Sequence, residues 1–204
     1  MSATLTAAAL RAALLHVAGR LDSAADELNA RDAAVGDGDL GVTVVRGARG
    51  MTEALPAAPD DIGALLLQCA QAFTKTSGST FGTLVATGLM AAGKATRGKS
   101  EIPWTEVSSV LGDALTAMAS RGKAQLGDKT MLDGVEALRR ATAGQTEPAA
   151  MLSAAVTEVK RALDDLRDKP ARQGRARIFA EKTVGNDDPG MIVVQRIVEE
   201  LARP

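Results

Sequence analysis

Apolar residues recur at intervals of three and four along most of the chain, and this spacing places them on one face of a helix. Stripes of this kind run from Leu10 to Leu28, Ile62 to Phe73, Trp104 to Met118, Leu152 to Leu166 and Val194 to Leu201. We also predict helices over residues 42–55, 80–96 and 130–142. No segment shows the alternation typical of a strand. The pattern predicts an all-α protein in which about eight helices form a single domain over residues 1–204.

Composition narrows the functional classes. Aromatic residues make up only 2% of the chain, which disfavours a β-sandwich or barrel. The net charge of −1 does not indicate binding to nucleic acid or to a membrane surface. The one cysteine, Cys69, excludes an internal disulfide, and no apolar run is long enough to span a membrane. We therefore expect a cytoplasmic protein.

Glycines concentrate in four connections between the predicted helices. These connections cover residues 36–41, 77–82, 122–130 and 185–190, and they are also rich in Asp, Ser and Thr. Short helix connections do not need so many glycines. The pattern therefore predicts loops whose backbone approaches a ligand closely.

Two glycine-containing segments match nucleotide-binding signatures by letter only. Residues 93–100 fit the P-loop pattern, but a helical segment precedes them and Pro103 follows, where a strand and a helix are needed. Residues 36–41 fit the dinucleotide pattern, but no strand precedes them, and their two aspartates would repel a pyrophosphate. We reject both readings and interpret residues 93–100 as a solvated helix end.

Three aspartates suggest a cation site. Asp32, Asp37 and Asp39 follow the spacing D-x4-D-x-D, and Gly38 lets the backbone turn tightly between the last two. Three carboxylates in close proximity repel unless a cation neutralises them, and all-oxygen ligands suit Mg²⁺, Ca²⁺ or Mn²⁺. The alternative is that Asp32 caps a helix and the others form a solvated acidic turn.

The motifs together resemble the nucleotide-binding L subunits, or L domains, of dihydroxyacetone kinases. The matching segments are residues 32–41, 77–84, 127–133 and 174–190, which fall in order along nearly the whole chain. The resemblance implies an antiparallel barrel of eight helices with the nucleotide site in loops at one end. It also implies two Mg²⁺ ions that bridge the phosphates of ADP or ATP.

The resemblance assigns roles residue by residue. It gives the metal to Asp32, Asp37 and Asp39, and it implies no catalytic residue on this chain beyond these ligands. It gives the nucleotide to thirteen further residues, which are Leu40, Gly41, Val42, Thr43, Ser79, Thr80, Phe81, Gly122, Met131, Arg175, Asp188, Pro189 and Gly190.

This sequence departs from the family pattern at the phosphate side. The family usually reads GDGDHGxN where this chain reads GDGDLGVT, so that Leu40 replaces an imidazole and Thr43 replaces an amide. In the second loop, Phe81 stands where the family has a serine. The metal ligands are intact, whereas the phosphate contacts and the choice of ketose, a triose or a tetrulose, stay open.

The resemblance also implies a division of labour between subunits. Family kinases hold their ketone on a histidine of a separate K-type subunit, and the only histidine here, His16, matches no such motif. We therefore predict a kinase component that receives its ketose through a K-type partner and forms a homodimer. If bound ADP is rephosphorylated in place, a phosphotransferase-system protein is a further partner. The alternative is that ATP exchanges freely at the site.

Other functional classes remain open at this stage. One alternative is that the chain is a nucleotide-loaded regulatory module that binds a transcription factor or another partner. A more distant alternative is an acyl-phosphate-forming kinase domain paired with a lipid-carrying protein.

Overall fold

The computed structural model describes residues 4–76 and 78–203, and most of these residues are helical. The α-helices are α1 (Ala7–Arg20), α2 (Ala25–Val35), α3 (Leu40–Ala54), α4 (Ile62–Thr76), α5 (Thr80–Ala95), α6 (Val107–Gly122), α7 (Met131–Thr142), α8 (Pro148–Arg167), α9 (Ala180–Thr183) and α10 (Pro189–Ala202). Two short strands, β1 (Thr4–Thr6) and β2 (Glu101–Pro103), pair antiparallel. The all-α prediction is confirmed.

The helices form a closed ring. From α3 to α8 each helix packs on the next, α10 packs on α7 and α8, and α1 and α2 close the ring between α10 and α3. The ring surrounds one apolar core, in which Leu28, Leu65, Leu132, Val159 and Met191 are completely buried. Because consecutive long helices run in opposite directions, alternate helix N-termini gather at one end of the ring.

Two details of the sequence prediction are wrong. The stripe from Leu10 to Leu28 is not one helix, because a 3-10 turn at Leu21–Ala24 separates α1 from α2. The strands β1 and β2 were not predicted, since three residues are too few to show an alternating pattern. No helix within the described ranges is long and apolar enough to cross a membrane.

The P-loop match is confirmed as a coincidence. Residues 93–100 begin in the last turn of helix α5 and lead into strand β2, so the order of elements is the reverse of what a P-loop needs. The dinucleotide match at residues 36–41 likewise follows a helix, α2.

Candidate functional site

Four helices begin at the same pocket. These are α3, α5, α7 and α10, and their N-cap residues Asp39, Ser79, Thr130 and Asp188 all line it. A helix N-terminus presents unpaired N–H groups and the positive end of the helix dipole, which favours anions. The convergence of four such ends makes this pocket suited to a polyanionic ligand.

Three carboxylates stand at one side of this pocket. One oxygen from each of Asp32, Asp37 and Asp39 lies within 4.8 Å of the others. Asp37 and Asp39 are exposed and Asp32 is half-buried. The three aspartates therefore lie close together, as the sequence predicted. Their oxygen atoms form a set that fits a hard divalent cation such as Mg²⁺.

Contacts between α2 and the start of α3 fix the position of the aspartates. An oxygen of Asp32 accepts hydrogen bonds from the amides of Asp39, at 3.0 Å, and Leu40, at 3.3 Å. One turn earlier on α2, Asn29 accepts from the amides of Gly41, at 2.8 Å, and Val42, at 3.3 Å. Asp32 therefore caps α3 as well as facing the other two carboxylates, so the capping and cation interpretations are compatible.

Glycine is required at this turn. A Cβ atom at position 41 would lie 2.1 Å from the carbonyl oxygen of Ala25, so the first turn of α3 packs directly on the backbone of α2. Gly38 has a φ of +77°, in the left-handed region that favours glycine. Gly38 thus allows the backbone to turn between Asp37 and Asp39, and Gly41 allows α3 to begin directly against α2.

Apolar side chains form another part of the pocket lining. Leu40 is 6% exposed, and it lines the pocket together with Phe81, Leu84 and Met131. Ser79 caps α5, because its hydroxyl accepts from the amide of Gly82 at 3.0 Å, and the Thr43 hydroxyl donates to it at 3.5 Å. The departures Leu40 and Phe81 therefore make the phosphate side of this pocket less polar than the family pattern implies.

The connection between α8 and α10 covers the pocket. We call residues 168–188 the cover segment. It brings Gly174, Arg175 and Ala176 into the pocket lining, and the Arg175 guanidinium forms an ion pair with the carboxylate of Asp37. The one arginine that the sequence analysis assigned to the nucleotide thus lies beside the predicted metal ligands.

The cover segment ends at a carboxyl group with unusual properties. Asp188 caps α10 by accepting from the amide of Met191 at 2.8 Å. Burial, together with the nearby Asp133, raises the pKa of Asp188 to about 7, although the Met191 amide and Lys129 act to lower it. This carboxyl group therefore titrates close to neutral pH at the edge of the pocket.

Two predicted nucleotide ligands do not line the pocket. Gly41 packs on α2, Val42 is exposed, and the amides of both are bonded to Asn29. The remaining residues that the resemblance assigned to metal and nucleotide all line it. Ser77, the first residue of the matched segment 77–84, lies outside the described residues.

Two residues that shape the site were not predicted from the sequence. Asn29 was not singled out, although it precedes Asp32 by one helical turn and so faces the same helix start. Lys129 was quoted only as part of a motif, yet it is 2% exposed. A buried lysine leaves no signal in a sequence, because the groups that surround it come from distant positions.

Comparisons with known proteins place these features in a family. Residues 34–203 match the model of the DAK2 domain. The chain is 32% identical over 180 residues to the PEP-dependent dihydroxyacetone kinase ADP-binding subunit DhaL of Escherichia coli, and the match covers 86% of each chain. A DhaL subunit of Listeria innocua is 32% identical, with 81% of this chain and 79% of that relative covered. An L-erythrulose 1-kinase of Mycolicibacterium smegmatis is 33% identical, but only 32% of its length is matched.

Solved structures show the same fold. The native dihydroxyacetone kinase of C. freundii superimposes with a TM-score of 0.78 at 27% identity, over 96% of this chain and 34% of that kinase. The same kinase in complex with AMP-PNP and Mg²⁺ gives a TM-score of 0.77 at 26% identity. This chain spans about a third of that kinase. The chain belongs to the DAK2 domain family.

Proposed function

We propose that this chain is the nucleotide-binding, phosphoryl-donor subunit of a kinase that acts on a small ketose. The observation that carries the proposal is the meeting of three carboxylates and four helix N-termini at one pocket. A magnesium nucleotide satisfies both features, because its metal needs oxygen ligands and its phosphates suit helix N-termini. The relatives named as ADP-binding subunits and the kinase bound to AMP-PNP and Mg²⁺ support this assignment.

The aspartates would hold the metal. In this proposal Asp32, Asp37 and Asp39 bind two Mg²⁺ ions, which neutralise the charge between the carboxylates and the phosphates. Asp32 and Asn29 already occupy the first amides of α3. We therefore assign the phosphates to the start of α5, at Thr80 and Phe81, and to the guanidinium of Arg175.

The opposite side of the pocket would take the base. Gly122 and Met131 line it together with Leu84 and Ala124, which are apolar, and Pro189 and Gly190 complete this wall. An adenine ring is flat and mostly apolar on its faces, so it suits such a surface. The phosphates would then point towards the aspartates.

The ketose would come from a second protein. Most of the residues that line the pocket have a proposed role towards the metal, the phosphates or the base. His16 lies on α1 and is not among the pocket residues. We therefore propose a K-type partner that holds a ketose of three or four carbons, in line with relatives named as dihydroxyacetone and erythrulose kinases. The names of the DhaL subunits include dependence on PEP, which supports a resident ADP that a phosphotransferase protein rephosphorylates.

Calorimetry and a reconstituted assay test the proposal. We expect a clear binding isotherm for ADP in Mg²⁺ and almost none in EDTA, because the aspartates and the polyphosphate repel each other without the metal. The chain alone should not phosphorylate dihydroxyacetone or erythrulose with Mg-ATP or in a phosphoenolpyruvate-driven system. Addition of the K-type subunit should raise turnover by orders of magnitude, since in-line positioning of the acceptor lowers the barrier by about 7–11 kcal/mol.

Two outcomes would contradict parts of this proposal. Equal ADP affinity in Mg²⁺ and EDTA would exclude the aspartates as the metal site. Robust ketose phosphorylation by the isolated chain, in a preparation free of other kinases, would place the sugar site on this chain. Tight Mg-ADP binding without turnover in the presence of the K-type subunit would instead favour the regulatory module.

A further inference from the structure

A fully buried lysine ammonium lies behind the pocket. Lys129 is 2% exposed, and its Nζ donates to the carbonyl oxygens of Arg167 at 2.7 Å, Lys169 at 2.8 Å and Thr183 at 2.6 Å. An ammonium group has three N–H donors, so all three are satisfied. Lys129 has a left-handed backbone with a φ of +62°, which a residue with a side chain adopts rarely.

The acceptors explain why a cation is stable here. Arg167 is the last residue of α8 and Thr183 is the last residue of α9, and the final carbonyls of a helix lack partners within it. These carbonyls also form the negative ends of the two helix dipoles. Burial lowers the pKa of Lys129, while the charges of Asp188, Asp187 and Asp168 raise it.

The three acceptors lie on the cover segment or directly before it. Arg167 and Lys169 lie where the segment leaves α8, and Thr183 lies shortly before it reaches α10. Lys129 itself directly precedes Thr130, which caps α7 and lines the pocket. The ammonium therefore ties both ends of the cover segment to the loop that begins one of the four helices of the site.

Further hydrogen bonds surround the ammonium. The Arg172 amide donates to the Asp128 carbonyl at 3.0 Å, the Ala171 amide donates to the Thr183 hydroxyl at 2.8 Å, and the Gly185 amide donates to the Arg167 carbonyl at 3.0 Å. By contrast, residues 174–179, which include Arg175, are mostly exposed. The base of the segment is thus fixed around Lys129, and the exposed tip projects from it over the pocket.

We propose that Lys129 is a positioning residue that holds the cover segment closed over the pocket and so sets the lifetime of the bound nucleotide. The inference rests on the proposed function for the identity of that nucleotide. The closure itself depends only on contacts within this chain. Without the ammonium, the Lys169 carbonyl loses its donor, the carbonyls of Arg167 and Thr183 keep only the amides of Gly185 and Asn186, and the segment opens to find water.

The test compares two lysine substitutions. Lys129→Met removes the donors with little change in length, and Lys123→Met is the matched control, because Lys123 also has a left-handed backbone, with a φ of +51°, but is exposed. In the nucleotide-free full chain, we expect the amides of Ala171, Arg172 and Gly185 to exchange with deuterium about a hundredfold faster in Lys129→Met. Amides of α4 and α5 should exchange as in the unaltered chain.

Nucleotide release provides the second measurement. With a fluorescent ADP analogue and Mg²⁺, Lys129→Met should release the nucleotide at least about tenfold faster, with an association rate close to that of the unaltered chain. If Lys129 served only global stability, its substitution would speed exchange throughout the barrel. It would not raise the release rate while leaving the association rate unchanged. Exchange or release within twofold of the unaltered chain would overturn the proposal.

A measurement on the unaltered chain covers the case in which Lys129→Met does not fold. Amine acylation followed by mass spectrometry should label Lys129 far more slowly than Lys123, and Mg-ADP should slow it further. Equal labelling of the two lysines would overturn the closure. If the unaltered chain does not bind Mg-ADP at all, the proposed function fails, and the exchange and labelling rates alone then decide whether Lys129 closes the segment.

Discussion

The two sides of the pocket handle charge in opposite ways. On the α2–α3 side, three carboxylates of like charge lie near the surface, where only the Arg175 guanidinium pairs with one of them among the described residues. On the cover side, a single ammonium is buried and fully bonded to neutral carbonyls. The first side needs a cation to balance its charge, whereas on the second side hydrogen bonds within the chain stabilise the charge.

This difference separates binding from closure. Repulsion between these carboxylates favours uptake of a cation. Substitutions on this side should therefore change metal-dependent binding strongly and the free energy of unfolding weakly. The buried ammonium stabilises the position of a segment, so the cover side should respond to loss of a hydrogen bond by opening. Substitutions that act on one property and not the other will show whether the two are separate.

The largest expected effect is on binding. Asp37→Ala should weaken Mg-ADP binding by about a hundredfold or more, since it removes a ligand from a site where a charged contact contributes roughly 1.5–3 kcal/mol. Without metal, its free energy of unfolding should stay within about 0.5 kcal/mol of the unaltered chain, because Asp37 is exposed and its removal relieves repulsion. Calorimetry and urea unfolding measure the two quantities, and Asp113→Ala on the exposed face of α6 is the control.

Asp32→Ala separates the two roles of an aspartate. It should weaken Mg-ADP binding to a similar extent, but it also removes the acceptor for the amides of Asp39 and Leu40. Loss of such a cap costs about 1 kcal/mol of stability. Equal unfolding free energies for Asp32→Ala and Asp37→Ala, measured without metal, would contradict the capping role.

On the cover side, the carboxyl group of Asp188 should make the stability of the protein depend on pH. Burial raises the pKa of Asp188 to about 7, so the folded protein retains a proton that the unfolded chain loses near the ordinary carboxyl pKa of 3.8. The stability that this proton contributes is fully present below about pH 4 and is lost as the pH rises through about 7, with a slope approaching 1.4 kcal/mol per pH unit. Asp188→Asn keeps an acceptor for the Met191 amide and should lack this slope.

The measurement is the difference in unfolding free energy between the unaltered chain and Asp188→Asn across pH 4.5 to 8. Titrating groups common to both chains cancel in this difference. A difference that does not change with pH would show that Asp188 titrates as an exposed carboxyl does.

A smaller effect is expected one turn before Asp32. Asn29→Ala removes the acceptor for the amides of Gly41 and Val42, so it should lower stability by about 1 kcal/mol. Because α3 then begins less rigidly, Mg-ADP affinity should fall by only about threefold to tenfold. Gln71→Ala on the exposed face of α4 is the control, and a hundredfold loss of affinity would mean that Asn29 contacts the ligand itself.

The helices were predictable from the sequence to the extent that packing follows local spacing. The stripe through Ile62, Leu65, Cys69 and Phe73 coincides with α4, since one face of that helix lies in the core. The break at Leu21–Ala24 was not predictable from spacing, because Leu21 and Leu28 are both buried and continue the apolar repeat across it. Hydrophobic spacing reports which residues face the core and not whether the backbone between them is continuous.

The same distinction holds for the site. The aspartates lie within eight positions of one another, so local spacing and charge were enough to predict that they meet. Lys129 depends on carbonyls 38, 40 and 54 positions away, and its burial follows from the tertiary fold. The aspartate side of the pocket was therefore predictable from the sequence. The cover side, where distant carbonyls surround Lys129, was not.

The smallest effect is expected at the lysine that the P-loop pattern would make essential. Lys99 lies outside the pocket, and its Nζ pairs with Glu106 at 2.8 Å on the surface near β2. Lys99→Ala should leave Mg-ADP affinity within about threefold, and loss of an exposed ion pair should change stability by less than about 1 kcal/mol. Arg175→Ala is the informative counterpart, because its guanidinium lies beside the aspartates, and we expect it to weaken binding by about tenfold or more. If Lys99→Ala cost a hundredfold in affinity while Arg175→Ala cost nothing, the phosphates would lie at residues 93–100, and the pocket between the aspartates and the cover segment would not be the nucleotide site.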